Sequence, residues 1–247
     1  MERLSLNDYD KGTTDASFQL LKKFLELMDE KNIQTIIIGG WATEAFQEGI
    51  GSKDIDIVML NDDDVNKLLS ENFFDEEENP VQQIYPIKRK KTISVNGKNR
   101  TIICDIFSAE YPRDDYEGLG IKIHWRLTQK FKVPRKIRDM PVLVPKRELL
   151  IILKIIALVD RSERLDKRGD GDDDENLQSK ISKDYRDIAV LVAGQKLDKG
   201  FLKKYITESH LLGHMEKFLS RYKQADYKGI LDDLGITPQE METALKV

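Results

Sequence analysis

One cysteine in 247 residues, Cys104, leaves no partner for an intramolecular disulfide, so oxidative stapling is excluded and a reducing cytoplasm is the expected compartment. No charged-then-apolar leader opens the chain, and secretion is not expected. Long apolar runs are also lacking. The longest, Leu149 to Val159, is interrupted by Lys154 and falls far short of the roughly 20 residues that a bilayer crossing requires. Nor is there an excess of positive charge: 40 Lys and Arg against 44 Asp and Glu leave a net charge of −4, which excludes the general phosphate attraction of a protein that coats nucleic acid. No internal repeat is visible. What is present is enough apolar residue, 40% of the chain, to bury one sizeable core or two smaller ones.

Apolar residues at Phe18, Leu21, Phe24, Leu25 and Met28 follow the 3.6-residue period and predict an amphipathic helix from Asp15 to Lys31 that covers a sheet. Thr35 to Ile38 is a short β-branched run ended by Gly39-Gly40, and Trp41 to Gln47 can form the next helix, so this stretch reads strand, tight turn, helix. Asp54 to Leu60 alternates acid and apolar residues before turning wholly apolar, a strand whose start opens on solvent or a cleft. A helix is expected from Asp62 to Leu69. Thr92 to Val95 and Thr101 to Phe107 flank Asn96-Gly97, the dipeptide that suits a type I′ hairpin turn.

After Pro145 the pattern becomes helical. A boundary there divides the chain into residues 1–145 and an all-α part, 146–247, with helices expected at Arg147 to Arg161, Ser182 to Ala193, Lys199 to Ser209, Gly213 to Tyr222 and Pro238 to Lys246. Between Asp166 and Glu175 the composition is almost wholly charge and glycine, which predicts a mobile acidic loop near 166–176. The fold class is therefore α+β: a mixed sheet with flanking helices, followed by an all-α helical domain.

The chemistry concentrates in three places. In Ser52-Lys53-Asp54-Ile55-Asp56-Ile57 the two aspartates are two residues apart on a predicted strand, so their carboxylates leave one face roughly 6.6 Å apart along it. Like charges so placed repel unless a cation sits between them. Mg²⁺, with its preference for hard oxygen donors, is the natural occupant, and two ions about 3.5–4 Å apart fit the spacing. Asp105 interrupts the apolar run Thr101 to Phe107, where a lone buried carboxylate would cost several kcal/mol. It needs a partner, and the same metal would serve. Gly39-Gly40, between strand and helix, leaves backbone N–H groups able to cradle phosphates.

This ordered combination resembles the polymerase-beta-like nucleotidyltransferase superfamily: a glycine turn, a short helix, a strand with Asp-x-Asp and a third carboxylate on a neighbouring strand. Here those positions are Gly39-Gly40, Asp54, Asp56 and Asp105. Gly39-Gly40-Trp41-Ala42-Thr43-Glu44 followed by Ser52 to Ile57 is similar to a block of aminoglycoside and lincosamide nucleotidyltransferases, with Glu44 in place of that block's usual aspartate. Leu153 to Arg161 with Lys183-Asp184-Tyr185-Arg186-Asp187 is similar instead to AbiEii-like toxin nucleotidyltransferases. The two likenesses span Gly39 to Asp187, and the last 60 or so residues match neither.

The resemblance implies a Mg²⁺-dependent enzyme of nucleotidyltransferase fold that moves a nucleoside monophosphate from an NTP to an acceptor and releases pyrophosphate. Asp54, Asp56 and Asp105 would be its catalytic and metal-binding residues, holding two Mg²⁺ with Mn²⁺ as a substitute. Gly39, Gly40, Trp41, Ser52, Lys53, Lys154 and Arg161 would bind the nucleotide. The acceptor stays open among RNA such as tRNA, protein and a small molecule, and the toxin-like half implies an antitoxin protein as partner. A catalytically silent, nucleotide-binding or partner-binding protein of the same fold is the alternative. Alignment and charge neutralisation would supply the catalysis, with no covalent intermediate.

Lys154 lies amid apolar residues and must find an anion, with Arg161 two turns on sharing its face. It meets either the triphosphate, as the resemblance implies, or Asp184 and Asp187 in a structural salt bridge. Other features are read as structural. His210 and His214 are spaced as zinc ligands would be, but Gly213 lies between them and no third ligand is apparent. His124-Trp125 is expected in a packed core strand. Asp170 to Glu175 lacks the glycine of a calcium loop. Lys88-Arg89-Lys90-Lys91 precedes the predicted hairpin as a charged strand edge or a guide for a polyanionic acceptor. Cys104 points away from Asp105 on a regular strand.

Overall fold

The computed structural model describes residues 11–48, 51–75, 87–95, 97–110, 112–113, 120–167, 173–194 and 196–246. The chain divides into two compact units: Tyr9–Pro112 with His124–Lys146 in one, and Arg113–Ile123 with Arg147–Val247 in the other.

The first unit opens with α1 (Lys11–Glu30), whose Leu20, Leu21, Phe24 and Met28 are buried, each contributing about 1.5–3 kcal/mol of burial. Next come β1 (Thr35–Ile38), α2 (Gly39–Glu44), β2 (Ile55–Met59), α3 (Asp62–Ser70), β3 (Ile87–Val95) and β4 (Lys98–Ser108). The last two form the predicted hairpin, with Val95 paired to Lys98 and Gly97 at φ +73°. Asn96 lies outside the described residues. β3 reaches back to Ile87, so the basic run Lys88 to Lys91 lies within the hairpin rather than ahead of it. The sheet order is β1-β2-β4-β3, with β2 and β4 parallel and the other pairs antiparallel. The two-residue strands β5 (Pro112–Arg113) and β6 (Ile123–His124) fall where the chain passes from one unit to the other and back, and α4 (Arg126–Lys130) leads into a second hairpin of the first unit, β7 (Lys132–Ile137) and β8 (Met140–Pro145). That hairpin turns on Arg138, at φ +54°.

The second unit holds α5 (Arg147–Lys167), α6 (Asp173–Val192), α7 (Lys199–Glu208), α8 (Leu212–Arg221), α9 (Ala225–Asp233) and α10 (Pro238–Leu245). α10 starts with a capping box between Thr237 and Glu240, as Thr237-Pro238 predicts. Both α5 and α6 overrun the acidic loop expected near 166–176. Asp166 and Lys167 are helical, and helix resumes at Asp173 rather than Ser182; residues 168–172 lie outside the described set. Leu177 to Lys180 are half-buried or exposed, so no apolar stripe marks that extension in the sequence. Among the described residues no helix is long and apolar enough to cross a membrane.

Candidate active site

Four residues stand in one row across the main sheet: Ile38 pairs with Asp56, Asp56 with Asp105, and Asp105 with Lys88. Adjacent strands lie about 4.8 Å apart, and register partners leave the same face. The parallel crossing of β2 and β4 therefore sets two aspartates side by side, each half-buried, with one carboxylate oxygen of Asp105, Oδ1, out of reach of solvent. Asp54 corrects one expectation. It stands one residue before β2, half-exposed, rather than on the strand with Asp56. The chain leaves β1 for α2 directly after Ile38, the partner of Asp56, so on that side the ladder has nothing to which Asp54 could pair.

Cys104 faces the other way and is buried. Its burial pushes the thiol well above its usual pKa, and the charges of Asp56, Asp105 and Asp54, in that order, push it further. The thiol itself is a core group and no nucleophile at neutral pH.

Gly39 closes the row at its other end. It has φ +67°, and a Cβ there would fall inside the Asp56 carboxyl, 2.8 Å from its Cγ. Only glycine permits this approach. Gly39→Ala is expected to lower Tm by about 5 °C or more, from left-handed strain plus the collision. An alanine variant as stable as the parent would show that Asp56 is not seated against the turn.

The remaining motif residues divide by burial. Trp41, expected to bind nucleotide, is instead wholly buried: its Nε1 donates to Ser17 Oγ at 3.0 Å and its ring lies against Phe18, fastening α2 to α1. An indole this large packs sooner than it waits for a ligand. Ser52 is buried too, whereas Lys53 is exposed at the approach to Asp54. Glu44 is buried, and its Oε2 accepts the Gly51 N–H at 2.7 Å. That bond ties α2 to the segment that carries Ser52, Lys53 and Asp54. On the row's own face, Phe107 follows Asp105 by two residues and lies 4.4 Å from the Trp125 ring, centroid to centroid, so the covered part of this face ends where the aspartates begin.

Lys154 and Arg161 belong to the helical unit. Lys154 Nζ donates to Asp187 Oδ2 at 2.6 Å and to Asp184 Oδ1 at 3.5 Å, and Arg161 bonds Asp184. The side chains of Lys154, Asp184 and Asp187 are 8%, 2% and 0% exposed. Of the two arrangements open from sequence, the structure displays the salt bridge. The charges of Lys154 and Arg161, both expected to bind the nucleotide, are engaged here by aspartates of α6.

Lys88 is a site candidate that the basic run conceals. Read as one block, Lys88 to Lys91 shows no direction; strand alternation, the signal the sequence does hold, sends Lys88 and Lys90 to one face and Arg89 and Lys91 to the other.

Among the described residues no three His, Cys, Asp or Glu side chains are grouped to hold a metal ion. Mg²⁺, however, is commonly held by one or two carboxylates together with substrate phosphates. The in-register pair Asp56 and Asp105, with a glycine in place of any side chain beside it, fits that mode.

No family model matches the chain, and neither does any curated protein. Among solved structures, the crystal structure of ANT(2″)-Ia in complex with adenylyl-2″-tobramycin is similar at 15% identity and TM-score 0.36, over 67% of this chain and 86% of that one. The solution structure of the antibiotic-resistance factor ANT(2″)-Ia is similar at 15% identity and TM-score 0.35, over 81% of this chain and 99% of that one.

Proposed function

We propose that the chain is a nucleotidyltransferase, moving a nucleoside monophosphate from an NTP to a hydroxyl or phosphate acceptor at the row formed by Gly39, Asp56 and Asp105. The observation that supports it is the pairing of two half-buried aspartates in register, on parallel strands, with a glycine that presents bare backbone to Asp56. Asp56 and Asp105, with Asp54 at their margin, would hold Mg²⁺, which when bound neutralises phosphate charge and acidifies an acceptor hydroxyl.

The chain's own residues do the rest. Gly39 and Gly40 let the triphosphate come close to the backbone, and Lys53, exposed ahead of Asp54, offers it an ammonium. Asp105 takes the proton of a hydroxyl acceptor. The acceptor oxygen bonds to the α-phosphorus as the bond to the bridging oxygen of the β-phosphate breaks, and pyrophosphate leaves with that electron pair. Held alignment supplies the rate, with no protein nucleophile.

The test is incubation of the purified protein with Mg²⁺ and each α-³²P-NTP, in the presence of cellular RNA, of a protein extract or of an aminoglycoside. Label should enter one acceptor class, with stoichiometric pyrophosphate. Binding of NTP without transfer in any arm would make this a nucleotide-binding protein instead.

A further inference from the structure

We propose that Lys88 belongs to this site as a phosphate-contacting residue, an inference that rests on the nucleotidyltransferase reading. The register argues first. Lys88 is the direct cross-strand partner of Asp105, as Asp56 is on its other side, so its side chain leaves the same face about one strand spacing away. Openness argues second. On that face of the hairpin Lys88, Lys90, Thr92, Ser94, Asn99 and Thr101 are all exposed and Ile103 is 37% exposed. The opposite face buries Ile102, Cys104 and Ile106, on the side where α1 packs against β3 and β4.

Charge argues third. The open face of the hairpin carries two ammonium groups, Lys88 and Lys90, and Asp105 is its single carboxylate. The other two cations of the basic run have different work: Lys91 Nζ pairs with Asp75 Oδ1 at 3.3 Å, and the Arg89 guanidinium donates to the Lys88 carbonyl oxygen at 3.0 Å. A lysine on an edge strand can serve simply to block edge-to-edge pairing. Position distinguishes Lys88 from such a guard, because it stands at the end of the carboxylate row opposite Gly39. A phosphate oxyanion reaching Asp105 there meets an ammonium that can bond it directly. That phosphate can come from the NTP or from a phosphorylated acceptor.

Equilibrium binding separates these sources. The probes are a non-hydrolysable α,β-methylene NTP with Mg²⁺ and a short fluorescent RNA oligomer, each titrated into the parent, Lys88→Ala, Lys88→Arg and Lys98→Ala. Lys98 is an exposed lysine by the hairpin turn, so its removal makes the same charge change away from the row. Lys88→Ala should weaken one probe about 10-fold, the scale of a single charge-assisted hydrogen bond; the probe affected names the source. Lys88→Arg should keep most of the affinity, and Lys98→Ala should match the parent. If the parent binds a probe and Lys88→Ala binds both as the parent does, Lys88 is only an edge guard and the inference falls alone. If the parent binds neither probe, the nucleotidyltransferase reading falls with it.

Discussion

Asp56→Asn and Asp105→Asn should each cut nucleotidyl transfer by at least about 100-fold, the scale of losing one group that stabilises developing charge, and Asp56→Asn, which keeps the Asp105–Lys88 pair, should leave Tm unchanged or raise it. The second half of this expectation follows from the register. Like charges directly opposite each other on neighbouring strands destabilise a sheet, and the two aspartates are direct partners. Asparagine keeps the shape that fits beside Gly39 and removes the repulsion. A site that stores like-charge repulsion for the sake of function should become more stable as it loses activity. Paired measurements of kcat/KM and Tm check both parts, and added Mg²⁺ should partly restore the Asn variants. Retained transfer would remove these carboxylates from the chemistry. A fall of several degrees in the Tm of Asp56→Asn would show that Asp56 serves the fold instead.

Lys154→Ala should cost about 3 kcal/mol of unfolding free energy, because it takes from the buried carboxylates of Asp187 and Asp184 the ammonium they share and leaves Asp187 only the longer contact to Arg186, at 3.5 Å, while Asp184 keeps Arg161. Replacing Lys154 and Asp187 together by apolar residues of similar size should recover much of that loss. The pH dependence has a definite sign. Burial alone lowers the Lys154 pKa, but the charges of Asp187 and Asp184 outweigh it and the net shift is upward. Burial alone raises the Asp187 pKa, but Lys154, Lys183 and Arg186 outweigh it and the net shift is downward.

A raised lysine contributes stability below its ordinary value near 10.4 that fades as pH climbs through the raised one. A depressed aspartate contributes stability above its ordinary value near 3.9 that fades as pH falls through the lowered one. The pair therefore stabilises fully across the interval between those ordinary values. The gap between parent and Lys154→Ala should be widest there and should close toward strong acid and strong alkali. Urea denaturation at several pH values measures it. A variant that keeps its stability and loses NTP affinity would support the nucleotide-binding role of Lys154.

Local structure is legible in the sequence wherever it depends on neighbours along the chain. The period of Phe18 to Met28 announces α1, the β-branched run Thr35 to Ile38 announces β1, and Gly39-Gly40 marks its end. Gly97 marks the turn of the first hairpin, and Thr237-Pro238 the start of α10. The β7–β8 hairpin and α9 carry no such signal. Pro134 and Pro141 interrupt the strand pattern as proline does by withholding a ladder donor, and the turn at Arg138 holds a non-glycine residue at positive φ, which no residue type advertises.

Sequence by itself determined which residues could do the chemistry: three aspartates, a glycine turn and a lysine in an apolar helix. Tertiary structure alone decided their company. Strand alternation states which face a residue takes, but the partner across the ladder is set by how distant segments dock. Hence only the fold could place Asp105 beside Asp56, bring Lys88 into their row, give Lys154 to Asp184 and Asp187, and seal Trp41 in the core.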